Sequence, residues 1–238
     1  MDLAIVIPVL NEAESLVPLL DEITAALTGQ TGYEIIVVDD GSTDTTRDEL
    51  SRRLGDCPEL RVIRHQARYG QSAAIATGVD AARTRWIVTL DGDGQNDPAD
   101  ILRIYRTLRQ APADVGLVIG HRMQRRDSLL RLISSRIANG VRDLVLGDGT
   151  PDSACGLKAF ARETFMRLPR FDHMHRFLPA LVRRQGGCVV SLEITQRVRT
   201  GGRSKYGLHN RLWVGIVDVL GVWWLKRRAL RPVVEERE

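Results

Sequence analysis

The sequence predicts an α/β protein with a doubly wound, mostly parallel sheet flanked by helices. Three observations support this prediction. Short apolar runs alternate with helical patterns in the first half of the chain, as in sheets built from βαβ units. Several of these apolar runs end in acidic residues. The 238 residues are also enough for one domain with a sizeable core.

The strands and helices can be placed in order along the chain. The apolar runs that predict strands are Leu3–Val9, Tyr33–Val38, Leu60–Arg64, Trp86–Leu90 and Val115–Gly120. The segments that predict helices after the first four strands are Leu16–Leu27, Ser42 to about Leu54, Gly70–Ala82 and Pro98–Arg109. Because the segments alternate regularly, the strands are expected to run parallel and to end at a common edge of the sheet.

Polar side chains follow three of the predicted strands. They are Asn11, Glu12, Asp39, Asp40, Asp91 and Asp93. Open α/β sheets bind their ligands at the carboxyl ends of the strands. Carboxylates crowded together are costly unless a cation lies between them. The sequence therefore predicts a metal and nucleotide site at this edge.

The most informative motif lies between Val88 and Pro98. Asp91 and Asp93 come directly after a buried strand, and Gly92 and Gly94 allow the chain to bend sharply there. Two carboxylates can share a hard divalent cation, with the amide oxygen of Gln95 as a third ligand. A cation held at this position suits a diphosphate.

Other motifs are missing, and their absence excludes two classes of nucleotide-binding enzyme. The first strand is followed by Pro8-Val-Leu-Asn-Glu12 instead of a Gly-x-Gly-x-x-Gly fingerprint, and no P-loop sequence occurs. A dinucleotide oxidoreductase and a P-loop nucleotidase are therefore not expected. Cys57, Cys155 and Cys188 are too few and too irregularly spaced for a disulfide framework, which indicates a reducing compartment.

The chain is mildly basic, with a net charge of +4 and a pI of about 9.2. Arginines cluster at 122–142, 197–203 and 226–231. Positive charge of this kind favours anionic membranes, phosphorylated substrates or nucleic acid. A nucleic-acid partner is not expected, because the basic clusters lack the interleaved aromatic residues on which bases stack.

The segment Ser128–Leu146 predicts an amphipathic helix. Its apolar face contains Leu130, Ile133, Ile137, Val141 and Leu144, and its opposite face contains Arg131, Ser135 and Arg142. The polar face is expected either to be solvated or to bind an anion near the acidic edge. Arg122 is a further anion-binding candidate, because arginine forks match phosphate oxygens.

Three other features in the second half leave more than one interpretation open. Arg197–Tyr206 is basic and glycine-rich, which is typical either of a surface loop or of a loop that folds over a polyanion. Asp152 begins a loop that runs into a strand, and it is either a turn residue or a group near the reaction centre. His173 and His175 are candidates for metal binding, for contact with acceptor or sugar, or for loop packing.

The last segment, 208–238, predicts an amphipathic basic tail. From Leu212 to Leu225 the only charged residue is Asp218, and a basic cluster follows. The apolar face is expected to contain Leu212, Ile216, Val219, Leu220 and Trp223. The segment is shorter than the ~20 apolar residues of a membrane span. It suits either a helix lying in the lipid headgroup region or a helix packed on the domain or on a partner subunit.

Four motifs together resemble those of a known family, and they occur in its order over about residues 3–207. They are Ile7-Pro8-Val9-Leu10-Asn11-Glu12, Val37-Val38-Asp39-Asp40-Gly41-Ser42-Thr43-Asp44, Asp91-Gly92-Asp93-Gly94-Gln95-Asn96-Asp97-Pro98 and Arg199-Thr200-Gly201-Gly202-Arg203-Ser204-Lys205-Tyr206. The chain resembles the family 2 glycosyltransferases, which have the GT-A fold. It is most similar to the branch that charges polyprenyl phosphates, such as the dolichol-phosphate mannose synthases.

The resemblance implies a role for each motif. The nucleotide sugar would contact Pro8, Asn11, Glu12, Val38, Asp39, Asp40, Asp91 and Gln95. A Mg²⁺ or Mn²⁺ ion would be held by Asp91, Asp93 and Gln95. The catalytic residues would be Asp93, Arg199 and Lys205, and the acceptor phosphate would contact Arg122, Arg131 and Ser134. Leu10 departs from the tyrosine that many relatives carry beside the base, so the choice between a UDP- and a GDP-linked sugar stays open.

The predicted function is inverting, metal-dependent transfer of a sugar from a nucleotide sugar to a polyprenyl phosphate. The expected organisation is a GT-A domain over residues 1–207 followed by the tail. The expected location is the cytoplasm, peripherally on the cytoplasmic face of the membrane, with residues 208–228 open to a membrane partner or a second copy of the chain. The alternatives are a glycosyltransferase with a soluble sugar or protein acceptor, a nucleotidyltransferase, and a non-catalytic nucleotide- or nucleic-acid-binding protein.

Overall fold

A central sheet organises the part of the chain that the computed structural model describes, which is residues 1–122, 140, 142–197 and 208–228, with the backbone alone for 208–214. Within these residues the strand order is β3-β2-β1-β4-β6-β5-β7. The strands are β1 (Leu3–Val9), β2 (Tyr33–Asp39), β3 (Leu60–Arg64), β4 (Trp86–Thr89), β5 (Val115–Arg122), β6 (Lys158–Ala161) and β7 (Cys188–Ile194). The helices are α1 (Ala13–Leu27), α2 (Thr46–Arg53), α3 (Gln71–Ala81), α4 (Ala99–Gln110), α5 (Arg162–Met166), α6 (Leu178–Arg184) and α7 (Leu208–Arg227).

The sheet confirms the predicted fold class and adds one feature. Strands β1 to β4 run parallel to one another, so β1, β2 and β4 end at the same edge. β6 is inserted antiparallel between β4 and β5, and β7 pairs parallel with β5 at the far edge. The apolar pattern does not encode strand direction. The sequence therefore predicted a strand after Asp152 but not its orientation.

Helices cover both faces of the sheet, and each face has its own apolar core. One core joins the strands to α1 and α4 and includes Ile5, Leu20 and Ile104. The other joins them to α3, α6 and α7 and includes Val6 and Leu181. Because both faces of a parallel sheet are buried, its strands are continuous apolar runs and do not alternate with polar residues. This burial is why the strands could be found from hydrophobicity alone.

The end of the predicted helix Ser128–Leu146 differs from expectation. Arg142, expected on a solvated or anion-binding face, is 8% exposed and forms an ion pair with the fully buried Asp148. It also donates to the carbonyl of Thr150 and to Ser153 Oγ. Leu144, expected on the buried face, is 87% exposed. Arg142 therefore holds the 148–153 loop in place, and the predicted faces of this part of the helix were wrong.

The tail helix α7 buries only part of its predicted apolar face. Val222 is buried, and Val219 and Trp223 pack beside it against the core that includes α6. Ile216, Val217, Leu220 and Trp224 are instead half-exposed or more. None of the helices in the described part of the chain combines the length and the apolar character that a membrane span requires.

Candidate active site

The loops after β1 and β2 are tied together by hydrogen bonds. The backbone N–H of Asn11 donates to Ser42 Oγ at 2.9 Å, and Asn11 Oδ1 accepts the N–H of Thr43 at 2.7 Å. Asn11 adopts a left-handed conformation with φ of 52°, which asparagine tolerates better than most residues. Asn11 therefore shapes the edge where a nucleotide was expected to bind.

At the end of β2, the side chains of Val38 and Asp39 lie on opposite faces of the sheet. The Val38 side chain is fully buried on the face that packs against α3, so the prediction that it lines a nucleotide pocket was wrong. Strand alternation turns the next residue to the opposite face. Asp39 Oδ1 accepts the N–H of Ser42 at 2.8 Å, and Oδ2 lies 3.6 Å from Arg64 Nε. Pro8, on the neighbouring strand, is partly buried.

Asp40 organises the loop between β3 and α3. Its Oδ1 accepts the backbone N–H of Tyr69 at 2.8 Å and lies 2.8 Å from His65 Nδ1. Its Oδ2 accepts the backbone N–H of Gly70 at 2.8 Å. The side chain is buried. These contacts give Asp40 a role in shaping the pocket wall, whereas the sequence suggested direct contact with the nucleotide sugar.

Asp91 and Asp93 follow β4 at the centre of this edge. Burial and the Asp93 carboxylate raise the pKa of Asp91 to about 6, against the opposing effects of Lys158 and Arg122. Gln71 Nε2 donates to Asp91 Oδ1 at 2.9 Å. Asp93 Oδ1 accepts the N–H of Gln95 at 3.2 Å. The two carboxylates predicted to hold a metal are thus close enough to influence each other.

The backbone holds Asp91 from a second side. A Cβ added at Gly156, just before β6, would lie within 2.5 Å of the Asp91 carboxylate. The carbonyl of Gly156 in turn accepts a hydrogen bond from Thr89 Oγ1 at 2.7 Å. The 91–95 loop is also tied to α1, because Ser15 Oγ lies 2.9 Å from the carbonyl of Gly92 and 3.2 Å from Glu12 Oε2.

Two cations lie beside Asp91. Lys158 is only 3% exposed, its Nζ donates to the carbonyl of Cys155, and burial lowers its pKa. Arg122 donates to Asp152 through Nε at 2.6 Å and through Nη2 at 2.8 Å. Although burial acts against it, this pairing raises the pKa of Arg122. Asp152 lies in a turn, as one of its two interpretations expected, and it holds the Arg122 guanidinium, whose charge influences Asp91.

The acidic residues do not form one shared cluster. Asp39 and Asp40 have separate hydrogen-bonding partners, and in the described part of the chain no three His, Cys, Asp or Glu side chains could hold a metal ion together. The expectation that a bound cation offsets the charge of all these carboxylates was wrong for Asp39 and Asp40, which are paired with protein groups. It stays a prediction for Asp91 and Asp93, because burial and the Asp93 carboxylate together raise the pKa of Asp91.

The donors near Asp91 fit a divalent cation such as the one that the family resemblance implies. Two carboxylates and an amide form an oxygen-only set, which hard cations such as Mg²⁺ and Mn²⁺ prefer. Like charges held close together are relieved by a cation between them. A site made of Asp91, Asp93 and Gln95 therefore matches the chemistry of the ion.

His173 and His175 contact different elements. His173 Nδ1 lies 3.0 Å from Asp218 Oδ2 on α7, and His175 Nδ1 lies 2.7 Å from Ser72 Oγ on α3. Because they face separate partners, the interpretation of the two as a metal-binding pair was wrong. Both connect the 172–176 segment to neighbouring helices.

The basic loop begins beside the carboxylates. The N–H of Arg197 donates to the carbonyl of Gln95 at 2.9 Å, and its guanidinium lies 2.9 Å from Asp97 Oδ1. Four predicted site residues lie outside the described residues. They are Arg131, Ser134, Arg199 and Lys205.

Sequence reasoning missed three residues around Asp91. A lysine within the apolar run Leu157–Phe160 was a signal for Lys158, because an apolar strand buries a charge only when partners are available. Gln71 and Gly156 had no comparable signal. Their importance comes from contacts with Asp91 across 20 or more residues of sequence, which no local pattern encodes.

Two curated relatives are similar to this chain over most of its length. The chain is 37% identical over 240 residues to a dodecaprenyl-phosphate galacturonate synthase from Rhizobium johnstonii, covering 98% of this chain and 69% of that protein. It is 35% identical over 208 residues to an undecaprenyl-phosphate 4-deoxy-4-formamido-L-arabinose transferase from Yersinia pestis, covering 86% of this chain and 62% of that protein. The chain therefore spans about two thirds of the length of these relatives.

Solved structures share the fold at low sequence identity. A glucosyl-3-phosphoglycerate synthase from Mycobacterium tuberculosis, crystallised with Mg²⁺ and uridine diphosphate, superposes with a TM-score of 0.70 at 16% identity, covering 94% of this chain and 79% of that one. The same enzyme with Mn²⁺, uridine diphosphate and glucosyl-3-phosphoglycerate gives a TM-score of 0.71 at 16% identity, with the same coverage. These likenesses show the GT-A architecture.

The sequence profile of glycosyl transferase family 2 matches residues 4–168, which run from β1 through the carboxylate edge to α5. The parallel strands, the paired carboxylates after β4 and the curated relatives agree with that match. This chain therefore belongs to glycosyl transferase family 2.

Proposed function

We propose that the chain transfers a sugar, with inversion and with a divalent metal, from a nucleotide sugar to a polyprenyl phosphate. The observation that carries the proposal is the pair Asp91 and Asp93 at the carboxyl end of β4, in a chain 37% identical to a dodecaprenyl-phosphate galacturonate synthase. The polyprenyl phosphate acceptor is inferred from the names of the relatives.

The transfer is a single displacement. A bond forms between an oxygen of the acceptor phosphate and the anomeric carbon of the sugar. The bond between that carbon and the nucleotide's β-phosphate oxygen breaks, and its electron pair leaves with the nucleoside diphosphate. A phosphate monoester carries about −1.5 to −2 charges near neutral pH, so the attacking oxygen is already ionised and needs no general base.

The residues at the edge have two tasks in this reaction. Asp91, Asp93 and Gln95 would hold Mg²⁺ or Mn²⁺, and the chemistry supplied there would be Lewis-acid neutralisation of charge on the leaving diphosphate. Lys158 and the oriented Arg122 place positive charge beside that position. Fixed cations of this kind bring together two polyanions that would otherwise repel each other.

A transfer assay tests this function. The purified protein would be incubated with Mn²⁺, undecaprenyl phosphate and, in turn, radiolabelled UDP- and GDP-linked sugars. We expect one donor to yield a labelled lipid, with release of one nucleoside diphosphate per sugar transferred. Label on a soluble sugar or protein would instead support a different acceptor. Release of pyrophosphate would indicate a nucleotidyltransferase, and full activity in excess chelator would exclude the metal-dependent mechanism.

We further propose that α7 docks the chain on an anionic lipid surface. Ile216, Leu220 and Trp224 follow one another at intervals of about one turn, and with Val217 they form an exposed apolar face. At its C-terminal end, the Arg228 guanidinium lies 5.8 Å from the Trp224 ring centre, and Arg227 is also exposed. Apolar side chains beside arginines match the acyl boundary and the phosphate layer of an anionic bilayer.

Vesicle flotation tests this docking surface. We expect wild-type protein to float with phosphatidylglycerol vesicles and to bind phosphatidylcholine vesicles weakly. Leu220→Glu should weaken binding by about tenfold or more, since burying a leucine contributes about 1.5–3 kcal/mol. Leu54→Glu, at an exposed leucine following α2, is the matched control and should bind like the wild type. Equal flotation of Leu220→Glu, or a dimer that this variant dissociates, would contradict the lipid proposal.

A further inference from the structure

We propose that His175 is a positioning residue for the donor site, acting through Ser72 and Gln71 on the Asp91 carboxylate. The inference rests on the proposed function, because it assigns Asp91 to the metal and donor diphosphate. It adds a second layer of residues, contributed by α3 and the 172–176 segment, to the carboxylate edge.

The first contact in this layer is direct. Gln71 Nε2 donates to Asp91 Oδ1 at 2.9 Å. Gln71 is the first residue of α3, and the preceding Gly70 is held by Asp40 through a hydrogen bond of 2.8 Å. The position of the α3 N-terminus therefore decides where the Gln71 amide meets Asp91. One Asp91 oxygen is oriented by Gln71, as ligating carboxylates are commonly oriented by hydrogen bonds from outside the metal site.

The second contact joins the N-terminus of α3 to the 172–176 segment. Ser72 Oγ accepts the backbone N–H of His175 at 3.2 Å and lies 2.7 Å from His175 Nδ1. The Ser72 hydroxyl thus bridges the main chain and the ring of one residue. Burial lowers the pKa of His175 well below its ordinary value. The ring is therefore neutral at physiological pH, and Nδ1 can accept the hydroxyl proton of Ser72.

The segment that carries His175 is itself firmly held. Met174 is buried in the core beneath α3, and its neighbour His173 contacts Asp218 on α7 at 3.0 Å. His173 adopts a left-handed conformation with φ of 63°, which is uncommon outside glycine and needs support from its surroundings. A segment fixed on two sides can serve as a rigid support for Ser72 and, through the helix start, for Gln71.

Metal binding tests the inference without an activity assay. Free Mn²⁺ would be followed by electron paramagnetic resonance in the presence of uridine diphosphate and, separately, guanosine diphosphate. We expect His175→Ala to weaken Mn²⁺ binding by about tenfold, the lower end of the effect of removing a group that orients a metal ligand, because His175 reaches Asp91 only through Ser72 and Gln71. His175→Asn should restore most of the affinity, because its amide occupies the position of Nδ1. His175→Gln, whose amide reaches the position of Nε2, should not.

A double-mutant cycle separates positioning from general damage. If His175 acts through Gln71, the variant that combines His175→Ala with Gln71→Ala should bind Mn²⁺ no more weakly than Gln71→Ala alone. Arg170→Ala is the matched control, because it removes a bidentate ion pair with Asp80 at the other end of α3. It should bind Mn²⁺ like the wild type. If His175→Ala fails to fold, Ser72→Ala replaces it, because it removes the same contact between Ser72 Oγ and His175 Nδ1.

The possible outcomes distinguish the inference from the function on which it rests. Additive effects, equal affinities for His175→Asn and His175→Ala, or wild-type affinity in a folded His175→Ala would overturn the positioning role and leave the proposed function intact. A wild-type protein that takes up no Mn²⁺ with either nucleotide would overturn both.

Discussion

Asp93→Asn is expected to lower sugar transfer by at least about 10²- to 10³-fold, the cost of losing one preorganised group that stabilises charge in a transition state. Asparagine keeps the size of the side chain and can still accept the N–H of Gln95, but it loses the negative charge that a divalent cation requires. The measurement is the initial rate of labelled lipid formation at saturating Mn²⁺. Asp56→Asn, at an exposed turn after α2, is the control and should keep full activity.

Unfolding does not explain the expected loss, because the carboxylate pair is itself destabilising. The pKa of Asp91 is raised from 3.8 to about 6, so its protonated form stabilises the fold below pH 3.8 and this contribution is lost as pH rises through about 6. Removing the Asp93 charge relieves part of this cost. We therefore expect the Tm of Asp93→Asn at neutral pH, without metal, to equal or exceed that of the wild type. A folded, fully active Asp93→Asn would contradict the proposed role of the carboxylate.

Gly156→Ala is expected to reduce transfer strongly by displacing Asp91. The added methyl group would lie within 2.5 Å of the carboxylate, a separation that real Cβ atoms do not show, so either Asp91 or the turn before β6 must move. The same turn accepts the hydrogen bond from Thr89, which resists movement of the backbone. We expect a loss of about 100-fold or more in transfer and of similar size in Mn²⁺ affinity, as for other disruptions of ligand geometry.

Gly55→Ala is the matched control for this substitution. A Cβ there would meet only the Arg52 carbonyl at 3.6 Å, which is ordinary contact. It should change neither transfer nor Mn²⁺ binding. Thermal unfolding of both variants would distinguish a displaced carboxylate from a collapsed fold. A Gly156→Ala protein with wild-type Mn²⁺ affinity would show that the position of Asp91 is not critical.

The elements that the sequence predicted well are those governed by local chemistry. The strands up to Val115–Gly120 were located within a few residues, because both faces of the sheet are buried and the strands are continuous apolar runs. The meeting of the strand ends at one edge followed from parallel pairing, which the register of β1 with β2 and β4 confirms. Asp91 and Asp93 were identified because their types, spacing and position after a strand all point to the same chemistry.

The errors concern residues whose partners lie outside their own helix or strand. Val38 and Asp39 are adjacent, yet one packs on α3 and the other faces Arg64 on β3. Asp40 was predicted to contact the nucleotide sugar, but its carboxylate accepts hydrogen bonds from the backbone N–H groups of Tyr69 and Gly70. Arg142 looked like a surface cation and instead pairs with the buried Asp148. Asp39, Asp40 and Arg142 all satisfy their hydrogen bonds with protein groups, and residue type alone does not reveal these partners.

The sequence by itself determined the parallel strands β1 to β4, the edge where they end and the two carboxylates at its centre, because hydrophobic periodicity and strand-end chemistry are local properties. Only the tertiary structure decided which of the acids are committed to the protein and which face each other, and which neighbours hold Asp91. Gln71, Gly156 and Lys158 reach Asp91 from three separate parts of the chain. Contacts of this kind are set by how helices and strands pack in three dimensions.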